Sequence, residues 1–168
     1  MPDSPFTVLV LCTGNSARSI LGEALFNRLG APRLRAFSAG SKPRGEPHPG
    51  ALRLLTAKGI DSSQFASKSW NAFTGPDAPR IDLAITVCGN AAGEACPVFP
   101  GAPLRAHWGL ADPADAGEHG PAVDAAFAET WRLLEMRVQA MLALPFETME
   151  RGELMQELAR IGQMEGAA

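Results

Sequence analysis

Cys12 and Arg18 bracket a run of small or polar residues in Val8-Leu-Val-Leu-Cys12-Thr-Gly-Asn-Ser-Ala-Arg18-Ser19. Small residues let a backbone wrap closely around a tetrahedral oxyanion. Loop N–H groups entering a helix, with the helix dipole behind them, form an anion site. Arg18 adds a planar, permanently charged fork for two oxygens. The same field lowers the pKa of a thiol and makes Cys12 a thiolate nucleophile. Thr13, Gly14, Asn15, Ser16, Ala17 and Arg18 are thus the expected oxyanion cradle. The stretch lacks the glycines and lysine of G-x-x-x-x-G-K-[ST], which argues against a nucleotide P-loop.

Such a loop needs a strand before the thiol and a helix after the arginine. Thr7–Leu11 is a continuous apolar run, as in strands buried on both faces of a parallel sheet. Ser19–Leu29 reads as a helix with Leu21, Leu25, Phe26 and Leu29 on one face. Further strands are expected at Leu34–Ser38, Ile81–Cys88 and Leu104–Trp108. A helix is expected at Pro49–Lys58, ended by Gly59. Lys42–Pro49, Gly89–Pro103 and Leu110–Gly120 read as loops. Pro121 opens a helix with Val123, Phe127, Trp131, Leu134, Val138 and Met141 at spacings of three and four. Pro145 breaks it, and Phe146–Gln163 reads as one more amphipathic helix, with Leu154, Leu158 and Ile161 aligned.

Strands alternating with helices predict an α/β fold, a four-stranded parallel sheet with helices on both faces and an extra C-terminal helix. Ligands of such sheets bind at the carboxyl ends of the strands. Cys12, Cys88 and Asp112 all follow predicted strands and fall at that edge.

The chain has 168 residues and 46 % apolar content, enough for one ordinary domain. The expected division is a domain over 1–145, with a helix and tail over 146–168 packed on it. The start lacks the basic and apolar regions of a signal peptide, and no apolar run is long enough to span a membrane. A cytoplasmic location is the expectation. Its three cysteines are then reduced at rest, and any disulfide there is transient and catalytic. The net charge of -3 argues against nucleic acid. Residues 1–60 nevertheless carry eight Lys/Arg against three Asp/Glu, whereas residues 110–168 carry four against eleven. The thiol loop sits in the basic part, which suits a small anionic substrate.

Cys12-Thr-Gly-Asn-Ser-Ala-Arg18-Ser19 resembles the phosphate-binding loop of low-molecular-weight protein tyrosine phosphatases and of their relatives, the thiol-dependent arsenate reductases. Phe37-Ser38-Ala39-Gly40 matches the second strand of that family, and Asp112-Pro113 its general-acid segment. His107-Trp108-Gly109 and Cys96-Pro97 after Cys88 resemble the arsenate reductase branch. The resemblance covers roughly residues 6 to 143. It implies a low-molecular-weight phosphatase-like fold, and Asp112 as the acid that protonates the leaving oxygen. Asp115 is the other carboxylate in reach by sequence.

Both branches begin with attack by Cys12 on the oxyanion. A phosphatase then admits water; a reductase admits a second thiol. The resemblance implies Cys88 as first resolving thiol and Cys96 as second, arsenate or a phosphate-like oxyanion as substrate, and an external dithiol as reductant. That reductant is thioredoxin or a glutathione/glutaredoxin couple, with no cofactor bound. The phosphatase reading, hydrolysis of phosphomonoesters through phospho-Cys12, is the alternative. The chain has no Tyr, and the residues beside Asp112 are small, which suits a bare oxyanion.

Ser19, Ser38 and Glu23 are expected to support the loop, with Asn15; Ser19 is also a candidate helix cap. In some relatives the matching Asn, Ser and Glu, with an Asp, hold a monovalent cation. Lys68 stands at that Asp position here, so its ammonium replaces the cation and no metal is expected. His48, His107 and His119 match no metal pattern and read as structural or surface residues.

Overall fold

The computed structural model describes residues 5–87 and 103–167. Four parallel strands run β1 (Phe6–Leu11), β2 (Leu34–Ala39), β3 (Leu83–Thr86) and β4 (Leu104–His107), in the spatial order β2-β1-β3-β4. β1 is central, which is why Val8, Leu9, Val10 and Leu11 are all buried although they point alternately to opposite faces.

The helices are α1 (Arg18–Gly30), α2 (Pro49–Ala57), α3 (Pro121–Leu142) and α4 (Arg151–Gly162). Their buried residues, among them Leu21, Leu25, Leu55, Phe127, Leu134 and Leu158, share one core with Val8, Val10, Leu83 and Ile85. The other face of the sheet carries Leu9, Leu11 and Ala84. Among the described residues, Phe73 of the short 3-10 turn Trp70–Phe73 packs there with Ile81.

The helix boundaries have local causes. Pro49 opens α2, and the His48 ring accepts the Gly50 amide at 2.9 Å. The other ring nitrogen of His48 meets the Gly117 carbonyl at 2.9 Å. Nδ1 therefore accepts and Nε2 donates, in one fixed tautomer. Gly59, at φ +77, turns the chain out of α2. Pro121 opens α3, and all six apolar residues expected on its inner face are buried.

Several element boundaries differ from expectation by a residue, and three elements bear on the site or the core. The third strand spans Leu83–Thr86, not Ile81–Cys88. Its ladder with β1 starts at Val8 and Leu83, and the Asp82 carboxylate captures the Thr7 amide at 2.8 Å instead. The fourth strand ends at His107, one residue before Trp108. The last helix starts at Arg151, not Phe146. Phe146 is buried in the preceding turn, edge-on to Phe6 at 5.0 Å and beneath the Arg33 guanidinium at 4.4 Å. The expected third-strand end at Cys88 and the Gly89–Pro103 loop, up to residue 102, lie outside the described residues. No helix among the described residues is long and apolar enough to cross a membrane.

Candidate active site

Residues 12–17 leave the carboxyl end of β1 and turn into the N-terminus of α1. The Cys12 amide donates to Ala39 O of β2, so the thiol starts where the central strand stops pairing. Asn15 takes φ +44, a left-handed conformation that asparagine tolerates better than most residues.

The carbonyls of this turn are tied outward. Thr13 O accepts from Lys42 N at 2.9 Å, Gly14 O from Arg44 N at 3.0 Å and from Ser67 Oγ at 3.0 Å, and Ser16 O from His48 N at 2.8 Å. A turn with its carbonyls held outside presents its N–H groups to the inside, as an anion nest does. Gly40 lets the neighbouring strand end come this close. A Cβ there would stand 2.4 Å from Thr13 O and 2.7 Å from Cys12 O.

Inside the turn is a cavity of about 200 Å³ lined by Cys12, Thr13, Gly14, Ser16, Ala17 and Arg18, and by Lys42, Arg44 and Asp112. Cys12 Sγ lies 3.0 Å from Ser19 Oγ, and Asn15 Nδ2 donates to the same hydroxyl at 2.8 Å. Arg18 reaches across the opening: Nη1 donates to Leu110 O at 2.8 Å, and Nη2 is 3.3 Å from Asp112 Oδ2. Among the described residues, its buried Nε has no hydrogen-bond partner. Such an orphan donor is costly unless a ligand oxygen takes it. Asp112 Oδ1 accepts the Ala114 amide at 3.0 Å, capping the 3-10 turn Pro113–Ala116 and fixing the carboxyl group. Asp115 is exposed and does not line the cavity.

Behind the loop lies the support group. Asn15 Oδ1 accepts the Lys68 amide at 2.8 Å. Ser38 Oγ donates to Glu23 Oε1 at 2.5 Å, and Lys68 Nζ stands 3.8 Å from the same oxygen. Burial pushes the Glu23 carboxyl above its ordinary value, against the pull of Ser38 and Lys68. Lys68 also donates to Ala66 O at 3.0 Å.

Of the residues singled out in the sequence, Cys12, Thr13, Gly14, Ser16, Ala17, Arg18 and Asp112 share one cavity. Asn15, Ser19, Ser38 and Glu23 lie behind it. Ser19 is no helix cap: α1 begins at Arg18, and its N-cap, Ala17, makes no side-chain hydrogen bond. Cys88 and Cys96 lie outside the described residues. His107 Nδ1 meets Thr86 Oγ1 at 2.7 Å, and His119 meets Arg53 at 3.0 Å. The sequence reading missed Lys42 and Arg44. Their one signal was the density of basic residues around the loop, and only the strap of backbone hydrogen bonds from 42 and 44 to the loop brings them to the cavity.

The family model described as "Low molecular weight phosphotyrosine protein phosphatase" matches residues 7–155. The arsenate reductase of Bacillus licheniformis is 38 % identical over 111 residues, which covers 66 % of this chain and 76 % of the relative. A solved arsenate reductase in its reduced state superposes with a TM-score of 0.62 at 27 % identity, over 82 % of this chain and 97 % of that one. A thioredoxin-dependent arsenate reductase of Corynebacterium glutamicum shares the fold, with a TM-score of 0.60 at 24 % identity over 85 % of this chain and 63 % of that one.

Proposed function

The chain belongs to the low molecular weight phosphotyrosine protein phosphatase family, and from that premise we propose that it is an arsenate reductase, converting arsenate to arsenite. The observation that carries this reading is the meeting of the Cys12 thiol, the orphan Arg18 Nε and the Asp112 carboxyl in one small cavity. The identity to curated arsenate reductases favours this branch over phosphatase chemistry.

Cys12 thiolate attacks arsenic(V), and an As–O bond breaks as the S–As bond forms. Asp112 protonates the departing oxygen, which leaves as water. Arg18 and the loop amides hold the remaining oxygens and their charge. Cys88 thiolate then attacks Cys12 Sγ. The S–S bond forms, the S–As bond breaks, and its electron pair goes to arsenic, released as arsenite. Cys96 attacks Cys88, frees Cys12 and leaves a Cys88–Cys96 disulfide. An external dithiol, thioredoxin or a glutathione/glutaredoxin couple, reduces that disulfide, and a cytoplasmic location suits such a cycle. The roles of Cys88 and Cys96 in this relay are those that the resemblance to the arsenate reductase branch implies.

Arsenate-dependent loss of free thiols, measured beside hydrolysis of an aryl phosphate, tests the reading. Thiol loss with weak hydrolysis supports it, and peptide mapping without reductant should find Cys88 joined to Cys96. Cys96→Ser should stall with Cys12 joined to Cys88. Robust hydrolysis with no arsenate-dependent thiol loss reverses the assignment to a phosphatase.

A further inference from the structure

Arg137 is wholly buried in the C-terminal half of α3, yet among the described residues no carboxylate pairs with it. Among the described residues its hydrogen-bond partners are main-chain carbonyls: Nη1 donates to Trp108 O at 2.8 Å and Gly109 O at 3.2 Å, and Nη2 to Met164 O at 3.4 Å. A buried cation is expensive, and a well-packed apolar residue is commonly no worse for stability. Burial also depresses the basicity of this guanidinium. What the charge accomplishes is to hold those carbonyls in place.

The carbonyls belong to the segment that carries the acid. Trp108 O and Gly109 O go to Arg137, and the next carbonyl, Leu110 O, goes to Arg18 at 2.8 Å. Two guanidiniums thus capture three consecutive carbonyls just ahead of Asp112. The amides of Trp108 and Leu110 are fastened to Thr86 O and Val87 O at the end of β3. The helix α4 closes the arrangement from outside. Trp108, itself fully buried, donates Nε1–H to Leu158 O at 2.9 Å. Gly162 lies so close that a Cβ there would stand 2.3 Å from His107 O.

We propose that Arg137 and the Trp108–α4 contact are positioning elements for Asp112, so that the C-terminal helix belongs to the catalytic apparatus. The proposal rests on the reading of Asp112 as the acid. It assigns α4 a role in turnover and none in oxyanion capture by the loop amides, because the backbone of residues 12–16 is anchored separately through residues 39–48 and 67–68.

The test is a double-mutant cycle on arsenate-dependent thiol loss. Trp108→Phe deletes one donor while keeping an aromatic core residue; Arg137→Met deletes the clamp. Each should lower kcat, by up to about 10²-fold if Asp112 is displaced by an ångström. Phosphate protection of Cys12 against alkylation should stay as in the wild type. In an Asp112→Asn background neither variant should cause further loss. Equal losses in both backgrounds, or phosphate protection weakened in step with kcat, overturn the proposal. Should Arg137→Met fail to fold, Trp108→Phe carries the cycle alone. Hydrogen exchange keeps the two readings apart. Faster exchange at the Leu110 amide in Trp108→Phe with full activity in Asp112→Asn sinks the acid assignment and leaves the brace standing. Unchanged exchange sinks the brace.

Discussion

Cys12 Sγ stands 3.0 Å from a hydroxyl, Ser19 Oγ, that is already accepting the Asn15 amide at 2.8 Å. With that bond received, the hydroxyl proton of Ser19 is free to point at sulfur. A hydrogen bond of this direction favours the thiolate over the thiol. Asn15 therefore acts on the nucleophile through Ser19, while its own carbonyl oxygen fastens the loop to Lys68.

Ser19→Ala should raise the Cys12 pKa. Hydrogen bonds to charged groups contribute about 1.5–3 kcal/mol, which corresponds to roughly one to two pH units. Iodoacetamide alkylation of Cys12 measured across pH 5–9 reads the shift directly. An unchanged midpoint would remove Ser19 from thiolate stabilisation.

Asp112→Asn should slow arsenate-dependent thiol loss by about 10²–10⁴-fold, the usual contribution of a positioned acid. Phosphate should still protect Cys12, because Arg18 keeps its bond to Leu110 O and the loop amides are untouched. Asp115→Asn should behave as wild type, since that side chain is exposed and off the cavity. A larger loss in Asp115→Asn would mean that the acid is the other carboxylate.

Lys42 and Arg44 bring two exposed cations to the cavity mouth. Lys42→Ala/Arg44→Ala should weaken phosphate binding to the reduced protein. A charge at contact distance in water contributes about 1 kcal/mol, or about fivefold per side chain. At about 1 M salt, where the screening length is ~3 Å, the difference from wild type should vanish. Phosphate titrations by calorimetry at low and high salt check this. A deficit that persists unchanged at high salt would place the effect in loop geometry instead of charge.

Burial raises the Glu23 carboxyl above 4.5 in the folded protein. The folded state then holds a proton that the unfolded state has released. Stability from this group is present below pH 4.5 and is lost as pH rises through the folded pKa. Glu23→Gln lacks the titration. Its Tm relative to wild type should therefore climb between pH 4.5 and neutrality and then level off. A difference that falls over that range contradicts the assignment.

The central strand and the long α3 were legible because burial on both faces and three-four spacing leave unambiguous patterns. The loop between β1 and α1 was legible because its small residues are contiguous. The rest was hidden for physical reasons. Arg137 sits among apolar positions of α3, where a charge reads as an exception, and its acceptors are carbonyls, which carry no residue signature. Lys42 and Arg44 reach the cavity by backbone hydrogen bonds from a loop whose path no side-chain pattern encodes. The start of α4 was misplaced because Phe146 is apolar and buried, as a helical residue would be, yet it packs on Phe6 from a turn. Ser19 looked like a cap because it stands at a helix start; the helix begins one residue earlier, which turns its hydroxyl to sulfur.

Gly40 offers no side chain to the reaction, and its constraint is one of volume. Any larger residue would press on Thr13 O and Cys12 O and reshape the cradle from behind. In a mutational scan scored by survival on arsenate, this position should rank with Cys12 and Arg18. Lys42 and Arg44, exposed at the mouth, leave room for other side chains, whereas the thiol loop needs the space at Gly40 to stay empty.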